Sequence, residues 1–221
     1  NLLEIKKVDE KLKCKAISAY IYDGVSEDEI DFTHKEKILF VGGFAHTPNV
    51  DAIKWFDEAI MPRVKTRRDD IKLVVVGSNA TGEVLDICKK DYIEYKGFVS
   101  DEELDKLYSE CRVVVAPLRY GAGIKGKIIE AMSKGCAIIT TKVGAEGIDK
   151  AEKFMKVVDG AQEFANAIVK LYDDTDTLSM YSRKSRQVIN DRFTEDRVWD
   201  IIFFVGKKRY ESDFTLWRSW D

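Results

Sequence analysis

Short, mainly apolar segments alternate with longer amphipathic segments along most of this 221-residue chain. A strand that is apolar along its whole length is covered on both faces, which is typical of a parallel sheet between two layers of helices. The pattern therefore predicts an α/β fold with a doubly wound parallel sheet, followed by C-terminal helices. The segments predicted as strands of this sheet are residues 38–41, 72–76, 93–95, 113–116, 137–140 and 154–158.

Capping signals and apolar spacing predict the helices between these strands. Ser100 and Glu103 form a capping box for a helix over residues 101–110. Thr47 and Pro48 are placed to cap and to open a long helix that reaches residue 67. The other helices are predicted at residues 81–89, 161–172 and 175–210, the last with a break near 191–194.

The charge balance and the cysteines exclude several classes of protein. With 36 basic and 39 acidic residues the net charge is −3, so no overall positive field favours nucleic acid. No apolar run approaches the ~20 residues of a membrane span, and the first residues lack the apolar core of a signal peptide. Four cysteines without a C-x-x-C pair predict neither a disulfide framework nor a metal site, and they favour a reducing cytoplasm. We expect neither a metal ion nor a cofactor.

The most informative motif is RYGAGIKGKIIEAMSKG, residues 119–135. It joins the strand predicted at 113–116 to an amphipathic helix through residues 121–126, which we call the second glycine loop. Gly121 and Gly123 let backbone amides approach an anion closely, and the start of the helix adds the positive end of its dipole. This loop therefore predicts a phosphate site.

Charged side chains around the second glycine loop extend this prediction. Arg119 and Lys125 are the expected phosphate ligands, whereas Lys127 is expected to face solvent. Glu130, one to two turns into the helix, offers a carboxylate to hydroxyl groups, although a lone helical Glu is usually a solvated surface residue. Phosphate recognition beside hydroxyl recognition indicates a nucleotide or a nucleotide sugar. The alternative is a connector whose glycines only make a turn.

Two further loops follow predicted strands, where ligands bind in folds of this class. Gly42 and Gly43 open the first glycine loop, residues 42–49, whose backbone can approach a ligand. Asn49 in this loop either bonds that ligand or merely caps the next helix. Glu146 lies between glycines after the strand predicted at 137–140, and it either holds a sugar hydroxyl or caps the next turn.

A dinucleotide-binding domain of an NAD(P)-dependent oxidoreductase is an alternative. Residues 121–126 match G-x-G-x-x-G, and Glu146 follows Gly126 by twenty residues. That fingerprint belongs in the first βα turn of its unit, whereas three predicted strands precede this loop. Residues 117–120 also separate the strand from the glycines, where the fingerprint turn is tight. The match is therefore weak.

Four blocks of sequence resemble the C-terminal, donor-binding half of retaining GT-B glycosyltransferases, the large group often called family 4 or group 1. In order they are ILFVGGF, KLVVVG, YKGFVSDEELDKLYSECRVVVAPLRYGAG and KIIEAMSKGCAIITTKVGAEGI, within residues 38–168. The E-A-M-x-x-G block after a strand and a glycine loop is fairly specific, and the K-G-F-V-S-D-E-E-L block strengthens the match. The resemblance implies one Rossmann-like half of a GT-B fold.

The resemblance implies a role for each candidate residue. Glu130 is expected to bind the ribose hydroxyls, and the loop before it to receive the diphosphate and the sugar. Arg119 and Lys125 are the expected catalytic residues, because they neutralise the leaving diphosphate. The residues expected to bind the donor are Gly42, Gly43, Gly121, Gly123, Lys125, Glu130 and Glu146.

The sequence also departs from the family. A Glu that the family places eight residues before the helix Glu is Ala122 here, and Phe44 and Asn49 stand near the places of a family Arg and Lys. Lys125 is expected to replace the lost positive charge, as in members of the group with a G-x-G-I-K loop. A non-catalytic ligand-binding or scaffold domain with a degenerate site is therefore a further alternative.

A GT-B enzyme has two Rossmann-like halves with the active site between them, and this chain resembles one. It does not begin with Met, and we expect a fragment that is inactive alone. Residues 1–36 are expected to cross over from the N-terminal half of the same protein, 37–172 to bind the nucleotide sugar, and 173–221 to pack back toward that half. The expected reaction is hexosyl transfer to an unknown acceptor for cell-surface polysaccharide, in the cytoplasm or at the inner face of the membrane.

Overall fold

A six-stranded parallel sheet forms the centre of the computed structural model, which describes residues 22, 24–26 and 28–195. The strands lie in the order β3-β2-β1-β4-β5-β6, and each pair of neighbours is parallel. The chain therefore leaves the neighbouring strands β1 and β4 toward opposite edges of the sheet. The strands are β1 (Lys37–Val41), β2 (Leu73–Val76), β3 (Ile93–Gly97), β4 (Cys111–Ala116), β5 (Ala137–Thr140) and β6 (Lys156–Val157).

Helical crossovers join these parallel strands. Helix α1 (Thr47–Trp55) continues through a π-helical segment (Phe56–Ile60) into α2 (Met61–Lys65). The predicted α/β fold with a doubly wound parallel sheet is confirmed. The remaining helices are α3 (Gly82–Ile87), α4 (Asp101–Glu110), α5 (Gly126–Ser133), a 3₁₀ turn (Ala151–Lys153), α6 (Ala161–Asp173) and α7 (Thr175–Arg192).

The core of the domain follows from the apolar strands. Every residue of β2, β4 and β5 is buried, as expected for strands with helices on both faces. On one side Trp55 of α1 packs edge-on against Phe164 of α6, with ring centroids 6.0 Å apart. The buried strands and the helices that pack on them form a rigid core, from which the loops at the carboxyl end of the sheet extend.

A charged residue also lies inside this core, near the amino end of β4. The guanidinium of Arg112 is buried and donates to the carbonyl oxygens of Phe32 and Tyr172, both at 2.5 Å, and of Lys35 at 3.2 Å. It also donates to the hydroxyl of Thr175 at 3.2 Å. These four oxygen acceptors satisfy the buried cation, so Arg112 ties the segment before β1 to the junction of α6 and α7.

The observed bounds of individual helices and strands show which local signals in the sequence were correct. Helix α4 and strand β5 have their predicted bounds, and the hydroxyl of Ser100 accepts a hydrogen bond from the backbone nitrogen of Glu103 at 3.2 Å, as the capping box predicts. The prediction that Thr47 caps α1 is wrong, because His46 is the N-cap and makes no side-chain cap bond. Thr47 is the first helical residue, and Pro48 is accommodated in the first turn.

The described residues belong to two units. Residues 26–187 form the larger unit, which holds the sheet and the site described below. In the smaller unit Tyr22 bridges to Thr194, and the side chain of Asn190 accepts from the backbone nitrogen of Val25 at 2.8 Å and donates to its oxygen at 2.9 Å.

Some sequence predictions fall outside this description. Most of the expected crossover segment, namely residues 1–21, 23 and 27, and the end of the expected C-terminal segment, residues 196–221, lie outside the described residues. The predicted domain boundaries, and the packing of the terminal helices toward an N-terminal half, stay predictions. Among the helices of the described residues, none combines the length and the apolar character that a membrane span requires.

Candidate functional site

The two glycine loops meet where the strand order of the sheet reverses. β1 and β4 are neighbours, β1 leads through the first glycine loop toward β2, and β4 leads through the second toward β5. A β-carbon on Gly121 would lie 3.7 Å from the Cγ of Pro48, so the two loops lie side by side. In open α/β sheets ligands bind in the crevice at such a switch point. The structure thus brings together the predicted phosphate-binding loop and the loop predicted to approach a ligand with its backbone.

The first glycine loop follows the end of β2 closely. The backbone nitrogen of Gly42 donates to the oxygen of Val76 at 2.9 Å, and a β-carbon on Gly77 would overlap the carbonyl oxygen of Gly42. A β-carbon on Gly43 would instead meet only the hydroxyl of Ser78, at 3.5 Å. Glycine is therefore required by packing at position 77, whereas the fold alone does not require it at position 43.

Asn49 ties the first glycine loop to helix α5. It is buried in the first turn of α1, and its Nδ2 donates to the carbonyl oxygen of Gly43 at 2.7 Å. Its Oδ1 accepts a hydrogen bond from the Nζ of Lys127 at 2.5 Å. Asn49 thus links the two sides of the candidate site rather than capping α1.

The prediction that Lys127 faces solvent is wrong. Its side chain is half-buried and reaches back over the end of β1, where Nζ lies 5.1 Å from the centroid of the Phe40 ring. A β-carbon on Gly42 would lie 2.6 Å from this Nζ, so the missing side chain of Gly42 makes room for the ammonium. Burial lowers the pKa of Lys127 to about 8, because a charged ammonium loses its hydration there.

The second glycine loop is closed by its own lysine. Gly121 and Gly123 have φ angles of 123° and 76°, which side-chain-bearing residues rarely adopt. The Nζ of Lys125 donates to the carbonyl oxygen of Gly123, approaches that of Gly121 at 3.5 Å, and pairs with Oε2 of Glu146 at 3.2 Å. The Lys125 side chain is only 12% exposed. Its charge is therefore already compensated, and Glu146 takes part in that compensation.

Arg119 is directed toward α1. Its Nε donates to Oδ2 of Asp51 at 2.9 Å, and a second guanidinium nitrogen donates to Oδ1, which makes the pair bidentate. The guanidinium also lies 5.6 Å from the ring centroid of Trp55. The hydrogen bonds with Asp51 raise the pKa of Arg119, which is charged at any physiological pH. Arg119 is thus engaged by a carboxylate outside both glycine loops.

Glu130 lies in α5 beside Tyr108 of α4. Its side chain is half-buried, and this burial raises the pKa of the carboxyl, while the Tyr108 hydroxyl opposes the rise. The Tyr108 side chain is fully buried, so burial raises its pKa above the ordinary range, and the neighbouring Glu130 carboxylate adds to the rise. Glu130 is therefore more than a solvated surface residue. Its expected role toward a ribose stays a prediction.

The G-x-G-x-x-G stretch does not have the context of a dinucleotide fingerprint. It follows β4, the fourth strand in chain order, and its last glycine, Gly126, is the first residue of α5. Residues 117–120 lengthen the connection, whereas the fingerprint requires a tight turn after the first strand. The position in the fold therefore argues against the NAD(P)-binding interpretation.

The sequence comparison identifies the family. Residues 35–174 match the family described as glycosyl transferases group 1. The chain is 26% identical over 184 residues to an uncharacterised 44.6 kDa protein in the cps region of Klebsiella pneumoniae, covering 80% of this chain and 47% of that protein. It is 32% identical over 127 residues to an uncharacterised glycosyltransferase of Methanocaldococcus jannaschii, covering 55% of this chain and 29% of that protein. The chain thus spans less than half the length of these curated relatives.

Solved structures share the fold at low identity. A mutant of S. aureus TarM in complex with fondaparinux, α-GlcNAc-glycerol and UDP has a TM-score of 0.71 and 13% identity, covering 91% of this chain and 42% of that one. Anabaena HepE in complex with UDP-glucose has a TM-score of 0.59 and 14% identity, with coverages of 96% and 53%. The C-terminal domain of a group 1 glycosyltransferase, LpcC of Francisella tularensis, also scores 0.59, at 18% identity, and this chain covers 96% of it.

The fold is that of a Rossmann-like domain of the GT-B type, and the two glycine loops lie at its switch point. The family match covers well over half of the chain. This chain belongs to the group 1 glycosyltransferases.

Proposed function

We propose that this chain binds the nucleoside diphosphate sugar of a retaining glycosyltransferase that transfers a hexose to an acceptor. The observation that carries the proposal is the meeting of two glycine loops at the switch point of the sheet, in a chain of this family. Such a site offers backbone amides and a helix start to phosphate, and Lys125 of the second glycine loop and Lys127 of α5 add positive charge.

The chemistry that the site serves is the departure of the diphosphate. In the transfer the nucleophilic atom of the acceptor bonds the anomeric carbon and its proton passes to the leaving diphosphate. The bond between the anomeric carbon and the diphosphate breaks, and its electrons remain on the diphosphate oxygen. Positive groups that are already in place stabilise this charge without reorganisation. The amides of Gly43, Gly121 and Gly123 and the ammonium of Lys125 are proposed for this role. Arg119 contributes only when its pair with Asp51 opens, which makes it the weaker of the two predicted catalytic residues.

The remaining parts of the donor are assigned by the family resemblance. Glu130 accepts hydrogen bonds from the ribose hydroxyls, and Glu146 reaches the sugar if it leaves Lys125. Among the structural relatives, HepE was solved with UDP-glucose and TarM with UDP, which supports a nucleotide sugar as the donor. We propose a reaction that uses neither a metal ion nor another cofactor.

The acceptor site is proposed to lie on a second Rossmann-like half of the same protein. The partial coverage of the curated relatives and of TarM supports such a half. The relative encoded in a cps region supports cell-surface polysaccharide as the product class. We propose that the full-length protein works in the cytoplasm or at the inner face of the membrane, where its N-terminal half receives the acceptor.

A panel of ligands tests the proposed function. Isothermal titration of the chain with UDP, GDP, ADP and NAD should show binding of one nucleoside diphosphate and no preference for NAD. Glu130→Gln should weaken that ribonucleotide much more than its 2′-deoxy analogue, since only the former offers both hydroxyls. Absence of binding to all four compounds would favour the scaffold alternative, and selective binding of NAD would favour the dinucleotide alternative.

A further inference from the structure

Three cations border the glycine loops, and they differ in what already neutralises them. Arg119 holds Asp51 in a bidentate pair, and Lys125 pairs with Glu146. For Lys127 no carboxylate in the described part of the chain lies within ion-pair distance, and burial is the sole cause of its lowered pKa. Lys127 is therefore the cation here whose charge is left without an anion.

The surroundings of Lys127 make this charge costly. Its ammonium contacts one amide oxygen, that of Asn49, and the face of the Phe40 ring. An ammonium carries three donors, so one bond to Asn49 leaves two unused within the described residues. A cation that is partly removed from water and has no counter-ion becomes more favourable when an anion binds. The position of Lys127 at the carboxyl end of β1 makes a ligand the natural source of that anion.

We propose that Lys127 is the principal side chain that binds the diphosphate of the donor, and that Asn49 positions it. The inference rests on the proposed function and names the residue that binds the phosphate groups of the donor. The two unused donors of the ammonium bond phosphate oxygens. The first glycine loop has neither Arg nor Lys within residues 42–49. Its positive charge thus comes from Lys127 of α5.

Asn49 holds this arrangement in one geometry. Its Nδ2 donates to the Gly43 oxygen at 2.7 Å, so its Oδ1 is left to face Lys127. A carboxylate at position 49 would neutralise the lysine internally, whereas an amide orients it and leaves its charge to a ligand. Asn49 is therefore a positioning residue, and the amide at this site keeps the lysine available.

Replacing Lys127 tests the proposal directly. The affinity for the nucleoside diphosphate that binds best among UDP, GDP and ADP is measured by titration calorimetry for wild type, Lys127→Met and Lys106→Met. Lys127→Met should lose about 10- to 100-fold, the size expected for a charge-assisted hydrogen bond. Affinity for the corresponding nucleoside, which has no phosphate, should not change. Lys106→Met, an exposed charge loss on α4, should match wild type for both.

The outcomes separate this inference from the proposed function. Binding by wild type with equal affinity in Lys127→Met would overturn the inference and leave the proposed function intact. Absence of binding of every nucleoside diphosphate by wild type would overturn both. Equal losses for the nucleoside and its diphosphate would also overturn the inference, because they would show a general disturbance. Thermal unfolding of each variant checks that the fold is retained.

A double-mutant cycle tests the role of Asn49. Asn49→Ala should weaken diphosphate binding in the wild type but have little further effect in Lys127→Met, since Asn49 acts through the lysine. Losses that add in full would show that Asn49 does not position Lys127.

Discussion

Two cations, one buried and one half-buried, lie near opposite ends of the central strands, and they differ in their hydrogen-bond partners. At the amino end, Arg112 of β4 donates to four oxygen atoms of the protein. At the carboxyl end, Lys127 contacts one amide oxygen and an aromatic ring. The hydrogen bonds of the fold satisfy the first cation, and we propose that the diphosphate of the donor neutralises the second. Burial alone therefore does not indicate that a charge has a function. Lys127 differs from Arg112 because two of its three donors have no partner within the described residues.

The largest expected effect on stability belongs to Arg112. Arg112→Met removes the donor from buried oxygens of Phe32 and Tyr172, and the loss should be about 2–5 kcal/mol of unfolding free energy. Urea unfolding measures it. The matched control is Arg63→Met, because Arg63 is exposed and donates only to Ala59 within the described residues; it should change stability by less than about 0.5 kcal/mol. A small loss for Arg112→Met would mean that its acceptors find water instead.

The next effect separates two adjacent glycines. A β-carbon on Gly42 would lie 2.6 Å from the Nζ of Lys127 and 2.8 Å from the Cγ of Asn49. Gly42→Ala should therefore displace the ammonium and the amide beside it, and weaken nucleoside diphosphate binding about tenfold. At Gly43 the new methyl group would meet only the Ser78 hydroxyl at 3.5 Å. Gly43→Ala should therefore keep the fold, and any loss of binding reports the approach of the ligand to that backbone. Calorimetric affinity together with thermal unfolding distinguishes the two.

A smaller effect concerns stability against pH. The pKa of Lys127 is about 8 in the folded chain and has its ordinary value of 10.5 when exposed, so between these values the unfolded chain binds more protons. The contribution of Lys127 to stability therefore rises as pH increases from 8 to 10.5. Lys127→Met, which lacks the buried charge, should be more stable than wild type at pH 7, and the difference should shrink by pH 10. Urea unfolding of both proteins at these pH values measures it; a difference independent of pH would contradict the lowered pKa.

The smallest expected effect is that of Lys125. Because Glu146 and the loop carbonyls already neutralise it, Lys125→Met should weaken diphosphate binding only about two- to fivefold, the range of a partly screened pair. The same titration used for Lys127→Met measures the loss. If Lys125→Met cost more than Lys127→Met, the assignment of the two lysines would have to be exchanged.

The fold could be predicted because its signals are local. The run Ala137 to Ile139 is apolar and leads into a buried Thr140, and the Ser100 capping box fixes the start of α4, so both elements have their predicted bounds. Strand β4 begins two residues before its predicted start. In the sequence Arg112 has the pattern of an exposed charge, because its backbone acceptor Phe32, which allows the guanidinium to be buried, is remote in sequence. The predicted long helix from Thr47 contains a π-helical segment, for which the amphipathic pattern gives no signal.

The candidate site could be predicted only in part, because its contacts are remote in sequence. Both glycine loops are visible in the sequence and lie at one switch point. The partner of Lys127, Asn49, is 78 residues away, and the two meet only because β1 and β4 are neighbours in the sheet. The pairing of Lys125 with Glu146 likewise depends on how the loops after β4 and β5 fold together. The sequence does give one indication of the Lys127 contact. The first glycine loop contains neither Arg nor Lys, so a positive charge at this loop has to come from another part of the chain.

The most direct test of the account is the proton balance of binding at pH 8.5. Among the described residues the Lys127 ammonium contacts the Asn49 amide and the Phe40 ring, neither of which titrates, so a bound diphosphate should raise the pKa of the lysine and draw a proton from the buffer. Titration of the chain with its preferred nucleoside diphosphate in two buffers of different ionisation enthalpy measures this uptake. The account predicts uptake of a substantial fraction of a proton in wild type and none in Lys127→Met. Binding without uptake in wild type, or equal uptake in both proteins, would contradict the placement of the donor diphosphate at Lys127.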